Sequence, residues 1–392
     1  MTFAPLAGTR VVDLTSSLAG PTCTQILAAL GADVVKVEHP ERGDEARAWG
    51  PAFFEGGSVM FFAANASKRS LALDVKAAQG REVLLRLVDN ADVFVQSMRP
   101  GTAARLGLGS DVLRRSNERL VYCSIGAYGR RGPLARAPGY DPLLQAFTGI
   151  VSVTGEPGRP GVRVGTSLID LGTGVWAALG IVGALFERTT TGRGRDVDVS
   201  LLETGLSLVP YQLLEALESG TSPGRYGTAF PLIAPYEVFA TSDGELMIAA
   251  ANDRLFAQLC ERIGIPELAE DPRFRTNPDR LEHRDALLPP IRERLATETT
   301  ATWLERLDGI PVSPVQTVAE AAAHEQTRAT GLLQPLDGVE TVGLPLELDG
   351  ERVLHRGPPP TLGRDSREVL AELGLDADEI DALASAGITR LA

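Results

Sequence analysis

One carboxylate in this chain is placed for nucleophilic chemistry. Asp170 stands at the head of VGTSLIDLGTGVWAALGIVGALFERTTTGRGRDVDVS (164–200), just before an apolar, alanine-rich run without proline. Residues 171–188 are long enough for a buried helix, and the TTTGRGR that follows supplies its stop. An aspartate at that point is first of all a good N-cap, whose side chain satisfies orphan backbone donors. The same helix end favours an anion, so the carboxylate is expected to be ionised near neutral pH. The backbone N–H groups of the Gly172-Thr173-Gly174 run can also approach a bound group closely. A carboxylate held in this way can attack an activated carbonyl. On the local sequence alone, cap and nucleophile are both open.

Other reactive side chains are sparse. Cys23, Cys123 and Cys260 show no CxxC spacing, and His39, His283, His324 and His355 form no ligand pattern, so reduced thiols and no metal are expected. With 51 acidic against 38 basic residues the net charge is −13, which argues against nucleic acid or an anionic membrane as the main partner. The first residues have no basic region followed by a long apolar one, and the run after Asp170 is broken by glycines that suit a tightly packed helix. A soluble cytoplasmic protein is the expectation. Any anionic ligand then needs a local basic cluster. Three loops could supply one: 38–51 with Arg42 and Arg47, 65–70 with Lys68 and Arg69, and 97–101 with Arg99, ahead of Arg105.

The elements that would position these groups alternate. Residues 9–14 (TRVVDL) read as a strand, 22–30 as a helix ending at Gly31, and 33–38 (DVVKVE) as the next strand, a unit that forces a parallel pair. Residues 71–74, a helix around 77–88, and strands 91–96 and 120–125 repeat the pattern. The first ~125 residues thus read as a doubly wound α/β domain, without the GxGxxG that would point to a dinucleotide. After a Gly/Pro/Arg-rich loop (126–138) come a helix at 142–149, the Asp170 helix, a strand at 195–201 and a helix at 202–218. Beyond a Gly/Ser/Pro-rich linker, YEVFATSDGELMIAAAN reads as a hairpin. Helices at 253–263, 279–296, 300–307 and 320–330 complete a smaller α+β domain. At 392 residues, two domains are the natural expectation. They are drawn as 1–218 (large), 219–234 (linker), 235–332 (small) and 333–392 (a segment returning to the large domain).

The order of these motifs resembles that of the class III CoA-transferases, the family of formyl-CoA transferase and carnitine CoA-transferase. The likeness spans nearly the whole chain. It rests on PLAGTRVVDLTSSLAGPTCTQILAALGADVVKVEHPERGDEAR, NASKRSLALD, GYDPLLQAFTGI, SLIDLGTGVWAALGIVGALFERTTTGRGRDVDVSLLET and PPPTLGRDSREVLAELG. Each is weak alone, and the five in this order are highly specific. The resemblance implies a Rossmann-like large domain built from both ends of the chain and an interlocked homodimer. It implies coenzyme A as part of the substrate rather than a tightly bound cofactor, with an acyl-CoA and a small carboxylic acid as the reacting pair. Asp170 falls on the family's catalytic aspartate. The family pattern also puts Leu18 beside the pantetheine entry and His39, Leu73, Ser97 and Arg105 around the nucleotide end. His39 and Ser97 stand where relatives often carry Arg and Asn.

The implied reaction moves CoA through an aspartyl mixed anhydride and an aspartyl-CoA thioester. One thioester replaces another, so catalysis needs water excluded and an oxyanion stabilised rather than an energy source. The alternative is an isomerase of the α-methylacyl-CoA racemase type, which shares the fold and uses a His in a GHD motif. This chain has Tyr140 in Gly139-Tyr140-Asp141, and a tyrosine with an ordinary pKa of about 10 is a poor acid/base at neutral pH. Tyr140 is therefore expected to position a substrate group.

Overall fold

The computed structural model describes residues 3–392. Its main sheet has six parallel strands: β1 (Arg10–Leu14), β2 (Asp33–Glu38), β3 (Arg69–Leu73), β4 (Val93–Gln96), β5 (Val121–Gly126) and β6 (Asp196–Ser200). Their spatial order is β3-β2-β1-β4-β5-β6, with the C-terminal strand Thr389–Arg390 added antiparallel on the outer edge of β3. The chain thus winds one way from β1 to β3 and the other way from β4 to β6. This leaves a topological switch point between β1 and β4, where open parallel sheets bind ligands at the strand C-termini. The strands that read as β-branched runs are buried on both faces, Val11, Val12, Val34 and Val35 having at most 1% of their surface exposed.

Two helices dominate the packing on this sheet. Helix α1 (Ala19–Ala29) follows β1, and α4 (Leu168–Thr191) crosses it. Their approach depends on Gly174, where a Cβ would stand 2.8 Å from both Ala19 O and Thr22 Cβ. Gly180 does the same for β6, since a Cβ there would meet Val197 Cγ1 at 2.8 Å. The glycines inside the apolar run are thus the condition for close packing. Helix α2 (Ala78–Asp89) covers β3 and its neighbours through Val83, Leu84, Leu87 and Val88. Helix α3 (Asp141–Phe147) lies ahead of α4, and α5 (Leu201–Ser207) and α6 (Pro210–Ser219) follow β6. The single helix expected over 202–218 is broken here because Pro210 lacks the N–H that a continuous helix would use.

Beneath the switch point the chain buries charge. Asp13 on β1 and Lys68 are both essentially inaccessible and lie 3.1 Å apart; Lys68 Nζ also donates to Asn65 Oδ1 (2.8 Å) and Pro21 O (2.9 Å). Burial alone would raise the Asp13 pKa. Lys68, Lys36 and the hydroxyls of Thr15 and Thr24 outweigh it and bring Asp13 to about 2. Lys36 pairs with Asp44 at 2.8 Å. Glu38 takes a bidentate bond from Arg47, 2.7 Å on each arm. Arg69 is spent on Asp33 and Glu372, at 2.7 and 2.8 Å. Three members of the expected phosphate-binding cluster are therefore taken up by the protein itself, Arg47 and Lys68 as buried struts and Arg69 as a partly exposed one. A sequence cannot separate solvated from buried cations within one loop.

The chain divides into two compact units, one of residues 1–150, 163–219 and 326–392, the other of 151–162 and 220–325. The second unit begins at Gly220, so the residues drawn as a linker belong to it, and the return to the first unit falls at residue 326 rather than 333. It also recruits 151–162, which lie in the span drawn as the large domain. The reason is local: Gly227 N–H donates to Gly155 O (2.9 Å) and Arg225 Nη1 to Ser152 O (3.1 Å). Within this unit the predicted hairpin forms from Tyr236–Ala240 and Glu245–Ala249, with Val312–Pro314 as a third antiparallel strand. Its core gathers Phe239, Phe256, Phe274 and Trp303. The helix expected over 279–296 is two helices meeting at His283, and that over 320–330 divides at His324. At the C-terminus a helix forms over Ser366–Glu372. A further helix, Ala377–Ser385, carries the chain to the edge strand.

Candidate active site

Helix α4 begins at Leu168, and its N-cap residue, Ser167, makes no side-chain capping bond. The first-turn N–H groups are met from elsewhere: Ile169 N–H donates to Asp141 Oδ2 at 2.8 Å and Asp170 N–H to the same atom at 3.1 Å. Asp141, only 1% exposed, opens α3. Asp170 is thus the third residue of the helix and not its cap. A second carboxylate performs the capping, and that of Asp170 takes no part in it. The sequence pattern by itself gives Asp141 no role; the signal available is the Asp141/Gln145 pair at helical i, i+4 spacing ahead of the apolar run.

The electrostatics also depart from expectation. Burial, and after it the charge of Asp141, push Asp170 up to about 7. The helix N-terminus alone would favour the anion, but partial desolvation beside a like charge outweighs it. In its ionised form Asp170 is then a more basic, stronger nucleophile than an ordinary carboxylate.

Tyr140, immediately before Asp141, is half exposed, and its hydroxyl donates to Glu45 Oε1 at 3.4 Å. The charge of Glu45, then burial, raises the Tyr140 pKa further above its ordinary value. Glu45 Oε1 also accepts from Ser17 Oγ, and Asp44 Oδ1 accepts from the N–H groups of Ser17 (3.0 Å) and Ala46 (3.0 Å). Ser17 sits at φ +70°, which turns the β1–α1 loop back over the strand end. A run of direct contacts therefore leads from the end of β1 through Glu45 and Tyr140 to the head of α4.

At the switch point itself is a cavity of about 190 Å³, lined by Ser16, Glu38, His39, Gly43, Ser97 and Met98 among others. Ser16 N–H donates to Ser97 Oγ (3.2 Å) across the ends of β1 and β4. Of the five residues expected around CoA, the structure brings His39 and Ser97 to this cavity. Leu18 is buried at the start of α1 and Leu73 lies in the core at the end of β3, 6% and 1% exposed. Leu73 is held inside by the C-terminal strand, since Thr389 pairs with it. Arg105 is exposed on the short helix Thr102–Arg105, bonded to Thr102 Oγ1 at 3.0 Å, and does not line the cavity. Arg99 and Arg105 make no ion pair among the described residues. A larger cavity of about 1020 Å³ shares Met98 with it and takes in Arg99, Arg130, Arg131 and Arg136.

This is a doubly wound α/β protein with a cavity at the switch point and a carboxylate nucleophile candidate at the head of a long apolar helix packed on the sheet. Residues 6–366 match the family described as CoA-transferase family III, and the chain belongs to that family. It is 40% identical to the acetyl-CoA:oxalate CoA-transferase of Acetobacter aceti, over 90% of this chain and 92% of the relative. It is 37% identical to the succinate–glutarate CoA-transferase of Agrobacterium fabrum, over 94% and 96%. Among solved structures, a CaiB/BaiF family protein from Brucella suis is 38% identical and superposes with a TM-score of 0.86, over 94% of this chain and 99% of that one.

The raised Asp170 pKa has a thermodynamic consequence. The folded state binds the Asp170 proton more tightly than the unfolded chain does, so this group's contribution to stability is present below about pH 4 and is lost as pH rises to about 7. Asp170→Asn removes that loss. It is predicted to melt above the native protein at pH 8, by up to about 4 kcal/mol, with the difference shrinking toward pH 4. Scanning calorimetry at the two pH values checks it; a difference independent of pH contradicts it.

Proposed function

We propose that this enzyme transfers CoA from an acyl-CoA thioester to a small carboxylic acid with Asp170 as the covalent nucleophile. The observation that carries the reading is the division of labour at the head of α4, where Asp141 caps the helix and leaves the Asp170 carboxylate for chemistry. Asp170 Oδ attacks the thioester carbonyl; the C–O bond forms, the C–S bond breaks, and CoA leaves as the thiolate. The thiolate then attacks the aspartyl carbonyl of the mixed anhydride and releases the donor acid as its carboxylate. The acceptor carboxylate attacks the resulting aspartyl-CoA, and the thiolate, released again, takes the acceptor's acyl carbon and returns Asp170. Every step exchanges an activated acyl group for another, so the site has to exclude water and hold the reacting carbonyl. Tyr140, with its hydroxyl anchored on Glu45, borders the reacting groups. The nucleotide end of CoA is assigned to the switch-point cavity at His39 and Ser97, and its phosphates to the exposed, unpaired Arg99 and Arg105.

Relatives acting on oxalate, succinate and glutarate make short dicarboxylates the first acceptors to test. The racemase reading loses further ground on the structure, because Glu45 moves Tyr140 away from the pKa an α-proton base would need.

The exposed apolar surface supports a homodimer. Leu171, Val175, Leu179 and Phe186 follow one another along one side of α4, Phe186 being 77% exposed, and Leu214 and Leu217 on α6 are exposed at 67% and 74%. By length and composition α4 could span a membrane, but 44% of its most apolar stretch is buried within the protein. The remaining face is assigned to a second copy of the chain.

Asp170→Ala is predicted to fold, retain CoA binding and lose CoA exchange by at least about 10³-fold, measured by chromatography of acyl-CoA products against a panel of mono- and dicarboxylic acids; exchange at the native rate overturns the assignment. Light scattering is predicted to give twice the chain mass of 41.6 kDa. Leu179→Glu with Phe186→Glu is predicted to abolish that dimer, and a monomeric native protein contradicts the assignment of this face.

A further inference from the structure

The cap that frees Asp170 is itself held by a residue with no part in the chemistry. Gln145, on α3 one turn after Asp141, is fully buried. Its Nε2 donates to Asp141 Oδ1 at 2.6 Å and to Thr166 O at 3.2 Å, while its Oε1 accepts from Val164 N–H at 2.8 Å. The amide orientation is unambiguous on these partners, because the reversed amide would set an oxygen against two acceptors and a donor against a donor. All three of its contacts lie on the parts that determine where α4 begins. Two tie down residues 164–166, the stretch that leads into the helix. The third holds one oxygen of Asp141 so that the other points at Ile169 N–H and Asp170 N–H.

We propose that Gln145 is a positioning residue for CoA transfer, clamping Asp141 and the 164–166 segment together so that the first turn of α4 presents Asp170 in its attacking orientation. This rests on the reading of Asp170 as nucleophile. A side chain of Asp141 released from Gln145 is free to rotate about its χ angles, and the first-turn N–H groups then need another acceptor. The carboxylate of Asp170, itself in the first turn, is one acceptor that can compete for them. Capping by Asp170 would withdraw the nucleophile from the substrate. The buried amide thus opposes a competing role that is intrinsic to an aspartate at this place in a helix.

The clamp makes a kinetic prediction that a purely structural role does not. In the full-length enzyme, Gln145→Met keeps the volume and removes the donors. It is expected to lower kcat about 100-fold, the scale of a small misplacement of a reacting group, with KM for the acyl-CoA unchanged within about twofold. Gln145→Glu keeps the acceptor for Val164 N–H but sets an oxygen against Asp141 Oδ1 and Thr166 O, and is expected to lose more. Because the effect runs through Asp141, Gln145→Met introduced into an Asp141→Asn background is expected to cost less than about threefold. The inference is overturned if kcat per folded molecule stays within about twofold of native in both Gln145 variants, or if Gln145→Met costs as much in the Asp141→Asn background as alone. Should Gln145→Met not accumulate as folded protein, the near-isosteric Gln145→Glu carries the comparison in both backgrounds. Failure of the underlying reading is separable: it shows as native exchange in Asp170→Ala, whatever the Gln145 variants do.

Discussion

The site depends on one hydrogen-bonding obligation. A helix must satisfy its first N–H groups, and an aspartate in the first turn is the nearest acceptor. In this protein Asp141 Oδ2 meets the N–H groups of Ile169 and Asp170. That interaction releases the Asp170 carboxylate from the helix end and also places a like charge beside it. With burial, the like charge brings Asp170 to about 7. The contact therefore accounts for the availability of the group and, second to burial, contributes to its basicity.

The rest of the large unit holds that contact at a defined place relative to the ligand crevice. The crevice exists because strand order reverses between β1 and β4. The end of β1 is flanked by paired, buried charges, Asp13 with Lys68 and, from β2, Lys36 with Asp44. Removing one partner of such a pair costs about 3–5 kcal/mol, so this floor resists rearrangement. From Asp44 the chain passes to Glu45, which bonds Tyr140, which precedes Asp141. The glycines of α4, above all Gly174 against Ala19 and Gly180 against Val197, let the helix lie close enough to α1 and β6 to seat its first turn beside this chain.

Much of this architecture is legible in the sequence. The β-branched runs of β1, β2, β4 and β5, the stop at Gly31 and the break after the apolar helix each carry their own local signal. So does Asp170, through its position and the family order of motifs. What the sequence concealed is decided by contacts across long separations. Arg47, Lys68 and Arg69 read like Arg99 and Arg105, yet the first two find Glu38 and Asp13 in the interior and Arg69 finds Asp33 at its edge, whereas the last two make no ion pair among the described residues. Asp141 is 28 and 29 residues from the two N–H groups it caps, so a local reading leaves the cap to Asp170. Residues 151–162 have no compositional mark of the unit they join, which is set by backbone bonds to Gly227 and the Arg225 side chain.

The central claim is covalent: the carboxylate at the head of α4 becomes acylated in turnover. Trapping tests it most directly. The enzyme is incubated with a competent acyl-CoA donor in the presence of hydroxylamine, which intercepts an activated aspartyl carbonyl as a stable hydroxamate, and the digested peptides are weighed. The account predicts a hydroxamate on the peptide containing Asp170, dependent on the donor. An unmodified Asp170 in enzyme that is turning over would contradict it.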